Sequence, residues 1–334
     1  MSMSHAKAAK ARGTGATEAG WRNTLLCLLG QREVFLVIFI IAFGAIATLA
    51  TPYFFNLNNF KQVLIATALD GAVAVGMTIV LVGGGIDLSV GSIIGLSSAI
   101  IGLSFGHGLS IPLTLLLAIA GGVLVGVVNG ALISFVKINP IITTLAMMGI
   151  ARSACYILSG GYALSTIPPA FTAFAAGSVL GIPNTAVVTL VCVVVFHFLL
   201  QRSVILRKYY YVGGNEAAAF KAGIQVNGLK FLSYIISAVF SALAAILLVS
   251  RLGSTFPHSG LGTELRVISA CIIGGCSISG GKGTVFGAFL GVLLLGLINN
   301  ILVLLNVSVY WQGIASGLIL ILAVASDAVI NRGK

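Results

Sequence analysis

Apolar runs of about 18 residues or more recur along almost the whole chain, and each is long enough to cross a hydrocarbon core of ~30 Å. That repetition constrains the fold more than any other feature. Of the 334 residues, 58% are hydrophobic and 7% are charged, against roughly 25% charged in an ordinary soluble domain. The reading is all-α: a polytopic helical membrane protein built as one integrated domain. A membrane barrel would instead alternate polar and apolar residues over ~10-residue segments. The 42 glycines fit this class, because helices in lipid pack through small residues that let backbones approach. Gly122/Gly126 and Gly287/Gly291 are small-xxx-small pairs of this kind.

Ten spans are expected, at about 34–51, 62–83, 90–106, 112–136, 141–159, 183–201, 231–250, 266–281, 284–305 and 309–330. The third and eighth are short and bordered by glycine clusters. Either is compatible with a re-entrant or broken helix, which membranes tolerate only where protein or water covers the backbone. Residues 164–182, with Pro168, Pro169 and Pro183 around them, read as an external loop carrying a short amphipathic helix. Residues 1–32 form a basic tail, and 33–334 the membrane domain, with one long basic loop at about 202–230. The first run, Val34–Ala50, exceeds a signal-peptide core and reads as an uncleaved span.

The net charge of +11 is a matter of topology rather than of nucleic acid, since Lys and Arg collect in cytoplasmic loops. With the N-terminus inside, fourteen of the 18 Lys and Arg residues fall in cytoplasmic segments. Lys61, Arg152, Arg251 and Arg266 are left outside or near span ends. Both termini and the 202–230 loop are therefore expected in the cytoplasm.

Four motifs stand out. In Gly83-Gly-Gly-Ile-Asp-Leu-Ser-Val-Gly-Ser92 the glycines permit a helix break, and Asp87 and Ser89 are expected to cap the next helix. Asn129-Gly130 precedes Lys137-Ile-Asn-Pro140, a turn whose proline starts the next span. Gly274-Gly-Cys-Ser-Ile-Ser-Gly-Gly-Lys-Gly-Thr284 superficially resembles a phosphate loop. Aligned on Gly281-Lys282, the pattern fails at Cys276 and at Gly283, so it reads as a tight inner-face turn that binds no nucleotide. In 213–224, Gly213-Gly214 supplies a break, Asn215 caps a short helix through Ala217-Ala218-Ala219, and Gly223 ends it. A short Ala-lined helix of this type suits docking into a groove on another protein.

Two echoes hint at repetition. Gly122-Val-Leu-Val-Gly-Val-Val-Asn129 resembles Gly291-Val-Leu-Leu-Leu-Gly-Leu-Ile-Asn299, and Gly83-Gly84-Gly85 resembles Gly274-Gly275. The first pair falls on spans of opposite direction and the second on spans of the same direction, so no simple repeat contains both.

No catalytic constellation is visible. His5, His107, His197 and His258 are dispersed, and the five cysteines show no metal or disulfide spacing. No metal site and no cofactor is expected on this chain. Asp87 and Glu264 are the carboxylates of functional interest, with Arg266 expected to pair Glu264 at the outer rim. An ion-coupled secondary transporter would need intramembrane charge, for which Asp70 and Asp87 are the candidates.

The motifs Gly85-Ile-Asp-Leu-Ser-Val-Gly-Ser92, Asn129-Gly130 with Lys137-Ile-Asn-Pro140, Gly213-Gly-Asn-Glu-Ala-Ala218 with Gly223-Ile224, and Gly274-Gly275 with Gly280-Gly281-Lys282-Gly283-Thr284 occur in this order. Together they are similar to the permease subunit of bacterial ABC importers for monosaccharides, of the ribose, xylose and galactose type, over about 60–330. Two departures are Phe220-Lys221-Ala222 before Gly223 and Asn299-Asn300 in place of Asn-Gly. The resemblance implies a dimer of permease subunits, identical or similar, in the bacterial inner membrane and its lipid. It further implies a separate ABC ATPase that binds ATP, and a periplasmic or lipid-anchored sugar-binding protein. Gly213, Gly214, Asn215, Glu216, Ala218, Gly223 and Ile224 would form the segment coupled to the ATPase. Asp87, Ser89, Asn129 and Asn299 would belong to the translocation path or the helix break. A nucleoside, a sugar-like signal or an amino acid are the alternative solutes.

Overall fold

The computed structural model describes residues 32–308 and, beyond them, 310–314, 317–318, 321 and 324–325. The basic tail, apart from Arg32, and much of the tenth expected span lie outside the described residues. Twelve helices are described. They are α1 (Arg32–Ala50), α2 (Leu57–Val82), α3 (Val90–Gly106), α4 (Ile111–Ser134), α5 (Pro140–Ser159), α6 (Pro169–Ala176), α7 (Asn184–Arg202), α8 (Lys208–Gly214), α9 (Glu216–Lys221), α10 (Val226–Leu252), α11 (Thr263–Ile273) and α12 (Val285–Leu304). Strands β1 (Ser178–Val179) and β2 (Ile182–Pro183) add a small antiparallel hairpin after α6.

Seven of these helices (α1, α2, α4, α5, α7, α10 and α12) are long and apolar enough to cross a membrane, and α3 is a shorter apolar helix. The chain is a multi-pass, all-α membrane protein. Helix α10 is central and packs on α4, α2 and α3, while α2 also packs on α12, α7 and α11. Ala72, Met77, Val90, Ile94, Ala244, Val267 and Ala288 meet in the core between them. Glycine sets the distances. A Cβ on Gly126 would come within 2.6 Å of the Ala238 Cβ on α10, and one on Gly291 within 2.0 Å of the Ala270 carbonyl on α11. Both small-xxx-small pairs are thus helix contacts, made to different partners.

The eighth expected span is corrected. Helix α11 has 11 residues and stops at Ile273, so it covers only roughly 16 Å and crosses half a bilayer core. The cause is local. Gly275 adopts φ 97°, and the N–H groups of Gly275 and Cys276 bond to the carbonyls of Ile272 and Cys271, both at 2.9 Å. This double bond closes a helix with a left-handed glycine. The end of α2 is built the same way. Gly84 has φ 79°, with Gly84 N–H on Leu81 and Gly85 N–H on Val80, again at 2.9 Å. The glycine echo is therefore one kind of helix stop used twice.

The other ends follow their caps. Asn139 Oδ1 accepts the Ile141 N–H at 2.9 Å ahead of α5, with Pro140 as its first residue. Thr284 Oγ1 accepts the Gly287 N–H at 3.0 Å ahead of α12.

Candidate functional site

Arg202, Arg207, Lys208, Lys221 and Lys230 gather at one end of the bundle, around α8 and α9. Asn215 ends α8 and begins α9, and its Oδ1 accepts the Ala218 N–H at 2.9 Å. Gly223, at φ 79°, closes α9 with its own N–H on Phe220 (3.0 Å) and that of Ile224 on Ala219 (3.1 Å). The expected caps are present. The expected break at Gly213-Gly214 is not, because both glycines are helical in α8 and the chain turns at Asn215. Of α9, Ala219 is buried; Glu216, Ala217, Ala218 and Lys221 are exposed, and Phe220 is 72% exposed.

The glycines of α8 serve packing instead. A Cβ on Gly213 would stand 1.9 Å from the Val82 carbonyl oxygen and 2.5 Å from the Gly281 nitrogen. One on Gly280 would stand 2.8 Å from both the Gly84 Cα and the Gly213 oxygen. Three motifs that are far apart in sequence, at 83–85, 213–214 and 280–283, therefore meet backbone to backbone. The Gly281 N–H donates to the Val82 carbonyl at 2.9 Å and the Gly280 N–H to Ser277 at 3.1 Å, so these donors hold the fold together and are not presented to an anion. Two tyrosines of α8 complete the joint. Tyr209 donates to the Leu229 carbonyl at 2.9 Å, and Tyr210 to the Gly283 carbonyl at 2.8 Å. Burial holds both phenols protonated, raising Tyr209 and pushing Tyr210 up to about 12.

Asp87 lies deeper and is fully buried. Its Oδ1 accepts the Ser89 N–H (2.9 Å) and hydroxyl (2.6 Å), and its Oδ2 accepts the Ser237 hydroxyl of α10 at 2.8 Å. The Asn129 amide of α4 donates to the Ser89 hydroxyl at 2.8 Å. The expected side-chain caps on α3 are not formed, since Ser89 holds the cap position without a cap bond. The two side chains are spent across helices, tying the break between α2 and α3 to α4 and α10. Ser237 was missed by sequence reasoning, because nothing local distinguishes it from the other serines of α10.

At the other end a cleft of about 610 Å³ opens between α2, α11 and α12. Gln62, Thr67, Asp70, Arg251, Arg266, Asn299 and Asn300 are among its lining residues. Asn299 is the one residue of the four path candidates that reaches it; Asp87, Ser89 and Asn129 do not. Arg266 pairs with Asp70 rather than with Glu264, through Nε–Oδ2 at 3.1 Å and Nη2–Oδ1 at 3.3 Å. That forked pair joins α11 to α2 across 196 residues of sequence, and is 36% exposed at Arg266 and 20% at Asp70.

A family model described as branched-chain amino acid transport system / permease component matches residues 59–324. The ribose import permease protein RbsC of Haemophilus influenzae is 35% identical over 92% of this chain and 95% of its own length. RbsC of Bacillus subtilis is 37% identical over 88% of this chain and 91% of its own. The L-arabinose transport system permease protein AraH of Escherichia coli K12 is 39% identical over 90% of this chain and 91% of its own. A multi-pass helical bundle, and relatives matched over nearly their whole length, place the chain: it belongs to the permease family of the ABC importers, as a transport component.

Proposed function

We propose that this chain is the membrane-spanning subunit of an ATP-driven importer, and that it forms the path for a ribose-like monosaccharide. The observation that carries the reading is the joint at the basic end. Helix α9 is capped at both ends, by Asn215 and Gly223, and α8, joined to it at Asn215, is seated through Gly213 on the turns that end α2 and precede α12. A push on the exposed face of α9 therefore reaches two membrane helices through backbone contacts, without a flexible side chain in between.

In this reading a separate ABC ATPase binds and hydrolyses ATP and docks on Glu216, Ala218 and Ile224 beside Asn215 and Gly223, with Gly213 and Gly214 as the seat. The basic end faces the cytoplasm, with both termini, in the inner membrane of a bacterium. A periplasmic or lipid-anchored binding protein delivers the sugar to the opposite face, and a second permease copy completes the path. The cleft with Asn299 and the Asp70–Arg266 pair belongs to that path; its volume lies in the range of small-molecule sites. Ion coupling has little to work with, because Asp70 is paired with a cation and Asp87 is saturated by hydroxyl and amide donors.

Gly223→Asp tests the joint. The substitution is strained at φ 79°, by about 1–2 kcal/mol for an L side chain, and adds a negative charge to the docking face. Membrane insertion is expected to persist, while ATPase recovered by pull-down from gently solubilised membranes falls. Normal pentose uptake by this variant would remove the coupling role. Uptake of radiolabelled ribose and arabinose, against a nucleoside and an amino acid, reads the solute class in the same cells.

A further inference from the structure

Residues 253–262, between α10 and α11, run down along α3 instead of over the surface. Thr255 forms two backbone bonds with Leu164 (3.1 and 2.9 Å), and Leu164 packs against Gly102 of α3. Further along, the Ser259 carbonyl lies over Gly95 and Gly260 over Gly91. Thr255, Pro257 and Ser259 face inward, Phe256 and His258 outward. The segment is a strap, bridged at Thr255 and then folded in turns over 257–262, that lies on Gly91, Gly95 and, through Leu164, Gly102.

Arg152 holds it there. Its sequence position suggested a span end, but it lies within α5, on the fourth turn from Pro140. Nη1 donates to the carbonyls of Pro257 and Ser259, both at 2.8 Å, and Nη2 to the Gly91 carbonyl at 2.9 Å. One guanidinium thus bridges the strap to the first turn of α3, using the fork geometry that a lysine lacks. The Cys155 thiol, on the same face of α5, is fully buried beneath the strap, 3.8 Å from the Pro257 carbonyl. Gly260 and Gly262, at φ 76° and 77°, give the strap two swivels. Its two ends lead to Arg251 and Arg266, which both line the cleft.

We propose that Arg152 is a positioning residue for transport. It clamps the 253–262 strap onto α3 in the resting state, and release of the clamp during the cycle lifts the strap and resets Arg266 against Asp70 in the cleft. This rests on the importer reading and on the orientation given with it. The Arg152 guanidinium reaches three backbone oxygens at once, so its release frees the middle of the strap together with the Tyr156 hydroxyl–His258 Nδ1 bond of 3.0 Å, while the Thr255–Leu164 backbone pair stays as the hinge.

The test uses the native thiol of the full transporter in whole cells. A membrane-impermeant maleimide is applied with and without saturating pentose, and labelling at Cys155 is read by peptide mass mapping. Leu180→Cys, on the hairpin loop at the same end and 98% exposed in the native residue, reports orientation. The expected result is a rise of ~10-fold or more in Cys155 labelling during uptake, as a minor open state becomes a major one. Arg152→Ala is expected to label without pentose and to lose uptake, and Arg152→Lys to fall between. If Cys155 of the unmodified chain stays unlabelled while pentose uptake proceeds and Leu180→Cys reacts, the clamp is a fixed strut and the proposal fails. If Leu180→Cys does not react from outside, or no pentose enters, it is the importer reading itself that fails.

Discussion

Among the described residues two aspartates, Asp70 and Asp87, sit in or between the helices of this permease, and they are held in opposite ways. Asp87 is fully buried, and among the described residues it is held by three short hydrogen bonds from Ser89 and Ser237. Asp70 carries the charge partner Arg266 and remains partly open to the cleft. A carboxylate among apolar helices is usually taken as the mark of a path or a relay. Here the closed one ties the break between α2 and α3 to α10, and the open one faces the cleft. Access to the cleft separates the two roles; the presence of the charge does not.

That contrast breaks first at Asp87. Asp87→Ala removes the acceptor of three bonds and strands two buried hydroxyls, a loss of about 3 kcal/mol; thermal unfolding in detergent and the amount of protein in the membrane should both fall sharply. A variant with wild-type stability would mean that the centre is not structural. Ser237→Ala takes away one donor from a charged acceptor, so a smaller loss is expected, ~1.5 kcal/mol, read in the same melt. Asp70→Asn acts on the half-open pair and should cost less than ~1 kcal/mol of stability, yet reduce uptake clearly; a melt lowered as far as that of Asp87→Ala would erase the distinction. Asn299→Ala, on the cleft wall, is expected to leave the melting temperature alone and to change only the concentration dependence of uptake.

The parts of this fold that are legible in sequence are those governed by neighbours along the chain. Asn215 and Gly223 mark α9, Asn139-Pro140 marks the start of α5, and the glycines at 83–85 mark the end of α2, because each such signal acts within one turn; the like stop at Gly275 falls inside a span expected to run to 281. Seven of the ten expected spans follow from length and hydropathy; the eighth does not, since it ends at Ile273 after 11 residues. What could not be read is rotation. Helices apolar on every side give no periodic stripe to say which face meets which neighbour, so the partner of Arg266 was placed two residues away at Glu264 when it stands on α2. The same blindness hid Ser237, the reach of Arg152, and the meeting of Gly213 with Gly281. The signal that existed for Arg152 was its place inside an apolar run, where an arginine must find acceptors.

The small helix α9 divides its residues between two duties. Asn215, Ala219 and Gly223 determine that it folds, through a cap, a buried methyl and a left-handed exit. Ala217, Ala218, Phe220 and Lys221 leave their side chains on the outside, and whatever Ala218 and Phe220 add to the closure comes from their backbones. The outer set can drift, or be exchanged by design, without unseating the inner one. A permease built this way could change its choice of motor through a few surface substitutions while the membrane bundle stays as it is.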